Sequence, residues 1–166
     1  MHDLIAYNTS VLEKVDTLLH QLTDAELAKP SKLLFGSSVG QHFRHILEFY
    51  TCLLTTVDEP SFSYDRRQRD LLIETEVISA RASAVRSMSL LSALGDDREL
   101  RMESELPGIP NYSVQRTTLK RELAYLADHG VHHLAMVRIA LEQELPHVTF
   151  PEHLGVAAST RNHRAH

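Results

Sequence analysis

The sequence predicts an all-α fold: a four-helix bundle with a long loop between helices three and four and a C-terminal tail. Three observations carry that prediction. Apolar residues recur at three- and four-residue spacing in four stretches, Ser, Thr or Asp stands where a helix would begin, and strand-like alternation is confined to the region near residue 100. With 166 residues, 43% of them apolar and only six Gly and six Pro, the chain can bury one core and is too short for two ordinary ones. Residues 1–166 are therefore expected to form a single domain.

The first helix is predicted from Asp3 to about Leu22, because Leu4, Val11, Leu12, Val15, Leu18, Leu19 and Leu22 form one apolar stripe. Thr23-Asp24-Ala25-Glu26 has the form of a capping box for a short helical turn, closed by Pro30. Ser38-Val39-Gly40-Gln41 is a second box. It opens the second helix, whose stripe of Val39, Phe43, Ile46, Leu47, Tyr50, Leu53, Leu54 and Val57 runs to Asp58. Asp65 is the expected N-cap of a long third helix, in which Leu71, Val77, Ile78, Ala84, Val85, Met88, Leu91 and Leu94 lead to a stop at Gly95. From Asp96 to Tyr112 the helical period fails. Leu100, Met102 and Leu106 tend towards alternation and Pro107-Gly108-Ile109-Pro110-Asn111 is dense in turn formers, so a long loop holding a short strand or hairpin is expected. Thr117 or Thr118 caps the fourth helix, which buries Leu119, Leu123, Leu126, Leu134, Val137 and Leu141 before Pro146. The tail from Phe150 to His166 carries the small apolar run Gly155-Val156-Ala157-Ala158 and is expected to fold back on the bundle.

Composition removes several function classes. A net charge of −5 disfavours a nucleic-acid partner. No apolar run approaches the roughly 20 residues that span a bilayer, and the N-terminus lacks the basic lead-in of a signal peptide, so no membrane partner and a cytoplasmic location are expected. Cys52 is the only cysteine, which rules out an internal disulfide and a thiolate zinc site. Any metal site must use histidine and carboxylate, and eleven histidines are present. His2, His153, His163 and His166, near the ends, read as solvated.

Two histidine clusters stand out. In Asp128-His129-Gly130-Val131-His132-His133, His129 and His133 are four apart and share a helix face, where two imidazoles can bind one ion. At ~100° per residue His133 falls on the edge of the buried stripe and His129 slightly further round, whereas His132 points away. The second cluster, Gln41-His42-Phe43-Arg44-His45, supplies a third ligand from another helix. Periodicity places His42 nearer the stripe's centre than His45, but a ligand must face its partner helix rather than that centre, so the wheel leaves both open. Taken singly, each is more cheaply read as a half-buried core histidine bonded to a carbonyl.

Ser38 through Glu48, followed by His129-x-x-x-His133, resembles the DinB-like family of four-helix metal proteins, to which YfiT-type hydrolases and low-molecular-weight-thiol S-transferases are related. The resemblance spans most of the chain. In that family a capping Ser precedes the first metal-ligating His by seven residues, and a His-x-x-x-His pair on the last long helix completes the set. Applied here, the resemblance implies His45, His129 and His133 as ligands of a divalent ion, Zn, Ni, Mn or Fe. Tyr64 to Asp70 and Arg121-Glu122-Leu123 are similar to segments of a subgroup, without an assigned role.

Three neutral imidazoles leave coordination positions open, the arrangement of a catalytic rather than a structural site. The function expected is a metal-dependent enzyme, a hydrolase or thiol S-transferase, acting on a small molecule such as a thiol; the alternative is a non-catalytic metal-binding or stress-related bundle. A second copy of the chain is a candidate partner. Glu122 and Asp128 are weak candidates for a base or a hydrogen-bond acceptor behind a ligand, since Glu in a first helical turn ordinarily serves the helix dipole. Arg66, Arg67, Arg69 and Asp70 could hold an anionic substrate group, but such a run is more often a set of surface ion pairs. Cys52 reads as a small core residue rather than a nucleophile.

Overall fold

In the computed structural model, which describes residues 1–164, short polar caps begin the helices that matter most for the site. Thr23 forms a complete capping box with Glu26 ahead of α2 (Asp24–Ala28), which follows α1 (His2–Leu19). Ser38 forms another with Gln41 and starts α3 (Val39–Thr56). Thr118 accepts from the Arg121 amide and starts α6 (Leu119–Glu144). Each cap satisfies amides that the helix itself cannot.

The predicted third helix requires correction. Residues 65–71 are irregular, α4 (Leu72–Thr75) is one turn, and Glu76 adopts extended angles before α5 (Val77–Ser92). Asp65 does not cap a helix; its carboxylate accepts the Glu105 amide 40 residues away at 2.9 Å. The apolar stripe expected there is only partly the buried face. Ala84 and Leu91 are buried and Val77, Met88 and Leu94 pack against the core, but Leu71, Ile78 and Val85 are exposed, and α5 also buries Ala80 and Ser87. Small side chains there let α1 and α3 pack closely against α5. Gly95 follows the helix by three residues and does not adopt the left-handed angles of a C-terminal cap.

The all-α expectation also needs amendment. The Asp96–Tyr112 region folds into β1 (Glu99–Ser104), paired antiparallel with β2 (Ser113–Thr118) from Glu99 opposite Thr118 to Ser104 opposite Ser113. Phe62 bridges to Met102, fastening the hairpin to the segment after α3. The described residues are thus mostly helical with a small two-stranded sheet.

The long helices α1, α3, α5 and α6 share one core, with α1 against α5 and α6 and α3 against the same two. Within it Tyr50 donates to Asn8 Oδ1 at 2.7 Å, and Asn8 Nδ2 donates to the carbonyls of Leu4 and Leu123 at 2.8 and 3.0 Å. Buried polar groups are tolerable because each is paired, and this set ties three helices together. Gly130 lets α1 approach α6, since a Cβ there would stand 2.8 Å from Val11 Cγ1. Gly40 is tighter still, with a Cβ only 2.1 Å from the Glu74 carbonyl oxygen.

The tail does return to the bundle. Val148 and Leu154 are buried, and Gly155, at φ +70°, lies so close to the Ala135 backbone that no side chain would fit. A last helix, α7 (Ala158–Arg164), follows. His2, His153 and His163 are exposed, as expected for solvated ends, and His166 lies outside the described residues. Among the described residues no helix is long and apolar enough to cross a membrane.

Candidate metal centre

Because α3 begins at the Ser38 cap and α6 packs along it, the two histidine clusters meet at one level. His45 faces α6, where His129 and His133 stack one turn apart. The three ring centroids form a near-equilateral triangle, at 4.9 Å for His45–His129, 4.6 Å for His45–His133 and 4.6 Å for His129–His133. One nitrogen of each ring lies within 4.8 Å of one on each of the others, a set able to hold a metal ion.

His42 joins this group differently. Its Nδ1 is 3.0 Å from His133 Nδ1, one ring donating and the other accepting, which leaves His133 Nε2 free of that bond. His132 is exposed, in keeping with its angle on the helix.

The electrostatics suit ligation. Burial, reinforced by the neighbouring His129, lowers His45 to about 4 and His133 to about 3. Burial lowers His129 and His42 in the same direction, with His132 contributing to both. All four rings are therefore neutral near pH 7, the form in which imidazole binds a metal. His129 Nε2 is buried and has no hydrogen-bond partner among the described residues. An orphaned buried ring nitrogen is costly unless something fills it, so these residues fit a resident ion.

Aromatic rings wall the cluster. Phe49 stacks on His129 at 4.6 Å and on Tyr64 at 4.7 Å, and Tyr125 stacks on His129 at 5.4 Å. Glu122 is buried, but it accepts from Tyr64 at 3.0 Å and Thr117 at 2.6 Å rather than from a histidine. Its hydrogen bond towards the site goes to Tyr64, whose phenol is driven upward by burial and then by the Glu122 charge. Asp128 is exposed. Cys52 donates to the Ser63 carbonyl at 3.3 Å, and burial pushes its thiol up to about 11, which removes it as a nucleophile.

Sequence reasoning missed the part played by Glu48 and Arg67. Glu48, 4% exposed, accepts from Arg67 Nε at 3.2 Å and from the Asp70 amide at 2.8 Å, and it lies 3.6 Å from Arg44. Arg67 also donates from Nη1 to the Tyr64 carbonyl at 2.9 Å and from Nη2 to His45 Nδ1 at 3.2 Å. The available signal was Glu48 one turn beyond His45 on the same helix; nothing local shows that the arginine run returns to meet it. The expected surface ion pair is found for Arg66, with Glu103, whereas the pair that Arg67 makes with Glu48 is buried.

Neither the curated proteins nor the solved structures contain a match to this sequence. A family model described as "DinB family" matches residues 1–144, which takes in all three converging histidines and every helix except α7. That match covers most of the sequence, and the chain belongs to the DinB family.

Proposed function

We propose that this protein binds a divalent metal ion through His45, His129 and His133 and works as a metal-dependent enzyme, a hydrolase or low-molecular-weight-thiol transferase. The observation that carries the reading is the convergence of three neutral imidazoles, one with a buried nitrogen that has no other partner. A bound ion with an open position supplies Lewis acidity, which turns a water towards hydroxide or a thiol towards thiolate.

The chain's own residues do the rest. An ion held by His133 Nε2 would leave the hydrogen on Nδ1, where His42 would accept it, the role that outer hydrogen bonds play for ligating histidines. Phe49 and Tyr125 fix the His129 plane by stacking on it, and Tyr64 backs Phe49 from its other side. The reading includes a four-helix-bundle domain over residues 1–166, a small-molecule substrate and a cytoplasmic setting, which the lone cysteine favours.

The test is metal analysis of tag-free protein, followed by Co²⁺ substitution and visible spectroscopy. An open site is expected to show a thiolate-to-metal charge-transfer band when a small thiol is added, and thiol consumption with an electrophile or ester hydrolysis then separates the two chemistries. Protein that carries no metal, and neither binds nor is stabilised by Zn²⁺, Ni²⁺ or Mn²⁺, would overturn the reading.

A further inference from the structure

Beside the histidines, between α3 and α5, lies a cavity of about 700 Å³. Where two bundle helices face each other, apolar side chains normally close the seam. Here α3 offers Thr51 and Thr55 and α5 offers Ser79, Ser83 and Arg86, each set at helical spacing on one face. The segment after α3 adds Ser63 and Arg67 to the wall.

Arg66, Arg67 and Arg86 line this cavity together with Glu48 and Asp70. Glu48, the buried acid in the wall, is already held by Arg67, the Asp70 amide and Arg44. Asp70 accepts the Leu72 amide at 3.0 Å. Arg86, in contrast, is exposed and has neither an ion pair nor a hydrogen bond among the described residues. A cavity of mixed polar and apolar lining, with Arg67 and the free Arg86 guanidinium in its wall, is matched to a small molecule that carries an oxyanion.

We propose that this cavity binds the carboxylate or phosphate group of a small molecule through Arg86 and Arg67, and that Arg67 couples this ligand to the histidine cluster. The coupling follows from the chemistry of the Arg67–His45 contact and rests on the reading of the three histidines as metal ligands. A guanidinium can only donate, so His45 Nδ1 accepts from Arg67, and the neutral ring then carries its hydrogen on Nε2. In that state Nε2 has no lone pair for a metal. If Nδ1 were the ligating atom, Arg67 would occupy its lone pair directly. Metal and Arg67 compete for His45 in either case. An anion that draws the guanidinium into the cavity frees His45, so anion and metal favour each other's binding.

Two measurements on the full chain test this. Metal-free protein is titrated with sodium phosphate and, separately, sodium acetate at ionic strength matched with chloride, and the melting temperature is followed. A rise above the chloride control with phosphate alone indicates a phosphate ester as ligand, with acetate alone a carboxylate, and with both an oxyanion site without preference. Arg86→Gln, at an exposed and unpaired position, should shift the response to roughly tenfold higher anion, the worth of one hydrogen bond to a charged group. Arg116→Gln, on exposed β2 outside the cavity, should not. No rise above chloride, or a rise indifferent to Arg86→Gln, overturns the site.

The second measurement is Co²⁺ affinity against a competing chelator. Arg67→Gln should bind Co²⁺ about tenfold more tightly, because it removes the competing charged hydrogen bond and its amide oxygen can accept from Nδ1–H of a ligating His45. Wild-type affinity measured with and without the responding anion gives the same coupling without a substitution, and it should rise severalfold with the anion. Unchanged or weaker Co²⁺ binding in both experiments overturns the coupling. Failure of the wild type to bind Co²⁺ at all counts instead against the metal reading, and the anion titration of metal-free protein decides the cavity independently.

Discussion

Removing histidines one at a time from around the site separates three roles that look alike in the sequence. An ion that binds only the folded protein and is present at 100 times its Kd stabilises by about 2.7 kcal/mol. For a chain of 166 residues, each kcal/mol moves the melting temperature by roughly 2–4 °C, so saturating metal should raise it by about 5–11 °C. His45→Ala leaves two donors of the triangle and should abolish that rise. His42→Ala keeps all three donors but removes the bond at His133 Nδ1, and loss of such an outer partner typically costs 10- to 100-fold in metal affinity. At unchanged metal concentration the rise should then shrink by about half or more. His132→Ala, at an exposed position, should keep the full rise. The assay is a thermal melt of each variant after chelator treatment, with and without added Zn²⁺ or Ni²⁺. Equal losses for His45→Ala and His132→Ala would refute the assignment of ligands, and a full rise in His42→Ala would refute the role given to the His42–His133 bond.

Metal-free protein should lose stability in acid, because His45 and His133 are lowered to about 4 and about 3 from 6.5 and the unfolded chain takes up protons first. That contribution is fully present above 6.5 and lost as pH falls towards 4 and 3; denaturant midpoints across this range check it, and a flat profile would contradict the depressed values. His129→Phe should raise the melting temperature of metal-free protein while abolishing its metal response. The ring keeps its stacks on Phe49 and Tyr125 and discards an orphaned nitrogen that costs about 1–3 kcal/mol; a lower melting temperature after chelation would show that the nitrogen is not a burden. Gly40→Ala should destabilise by about 2 kcal/mol or more in equilibrium unfolding, since its Cβ would lie 2.1 Å from the Glu74 carbonyl oxygen; wild-type stability would mean that α4 is free to move away.

How much was legible followed from how local each signal is. The boxes at Thr23 and Ser38 and the cap at Thr118 close within three residues, and all three helix starts could be read from the sequence. Helix three could be read only in part, since Ala84 and Leu91 are buried as expected. Ile78 and Val85 have the look of a buried stripe, yet they are 78% and 53% exposed, because what α5 must present to α1 and α3 is small size, supplied by Ala80, Ala84 and Ser87. Asp65 has the form of a cap, but its carboxylate serves an amide brought near only when the hairpin folds back. Tyr64 and Arg67 lie in the same irregular segment, so their contacts with Glu122, Glu48 and His45 depend on long-range folding that no spacing encodes.

The choice between His42 and His45 shows why a helical wheel could not rank them. The two are three residues apart on α3, and both turn towards α6. Periodicity places His42 nearer the centre of the stripe, and His42 does meet His133, but at the Nδ1 side of that ring. His45 enters the triangle itself, at 4.6 Å and 4.9 Å from the two rings of α6. A wheel reports the direction in which a side chain leaves its helix. It carries no information about which nitrogen of a facing ring it meets, and that is the property that separates a residue positioned to hold an ion from one positioned to hold its ligand. The same distinction gives Arg67 its interest: it takes the remaining approach to His45, and as a donor-only group it is the one neighbour that a ligating imidazole cannot keep.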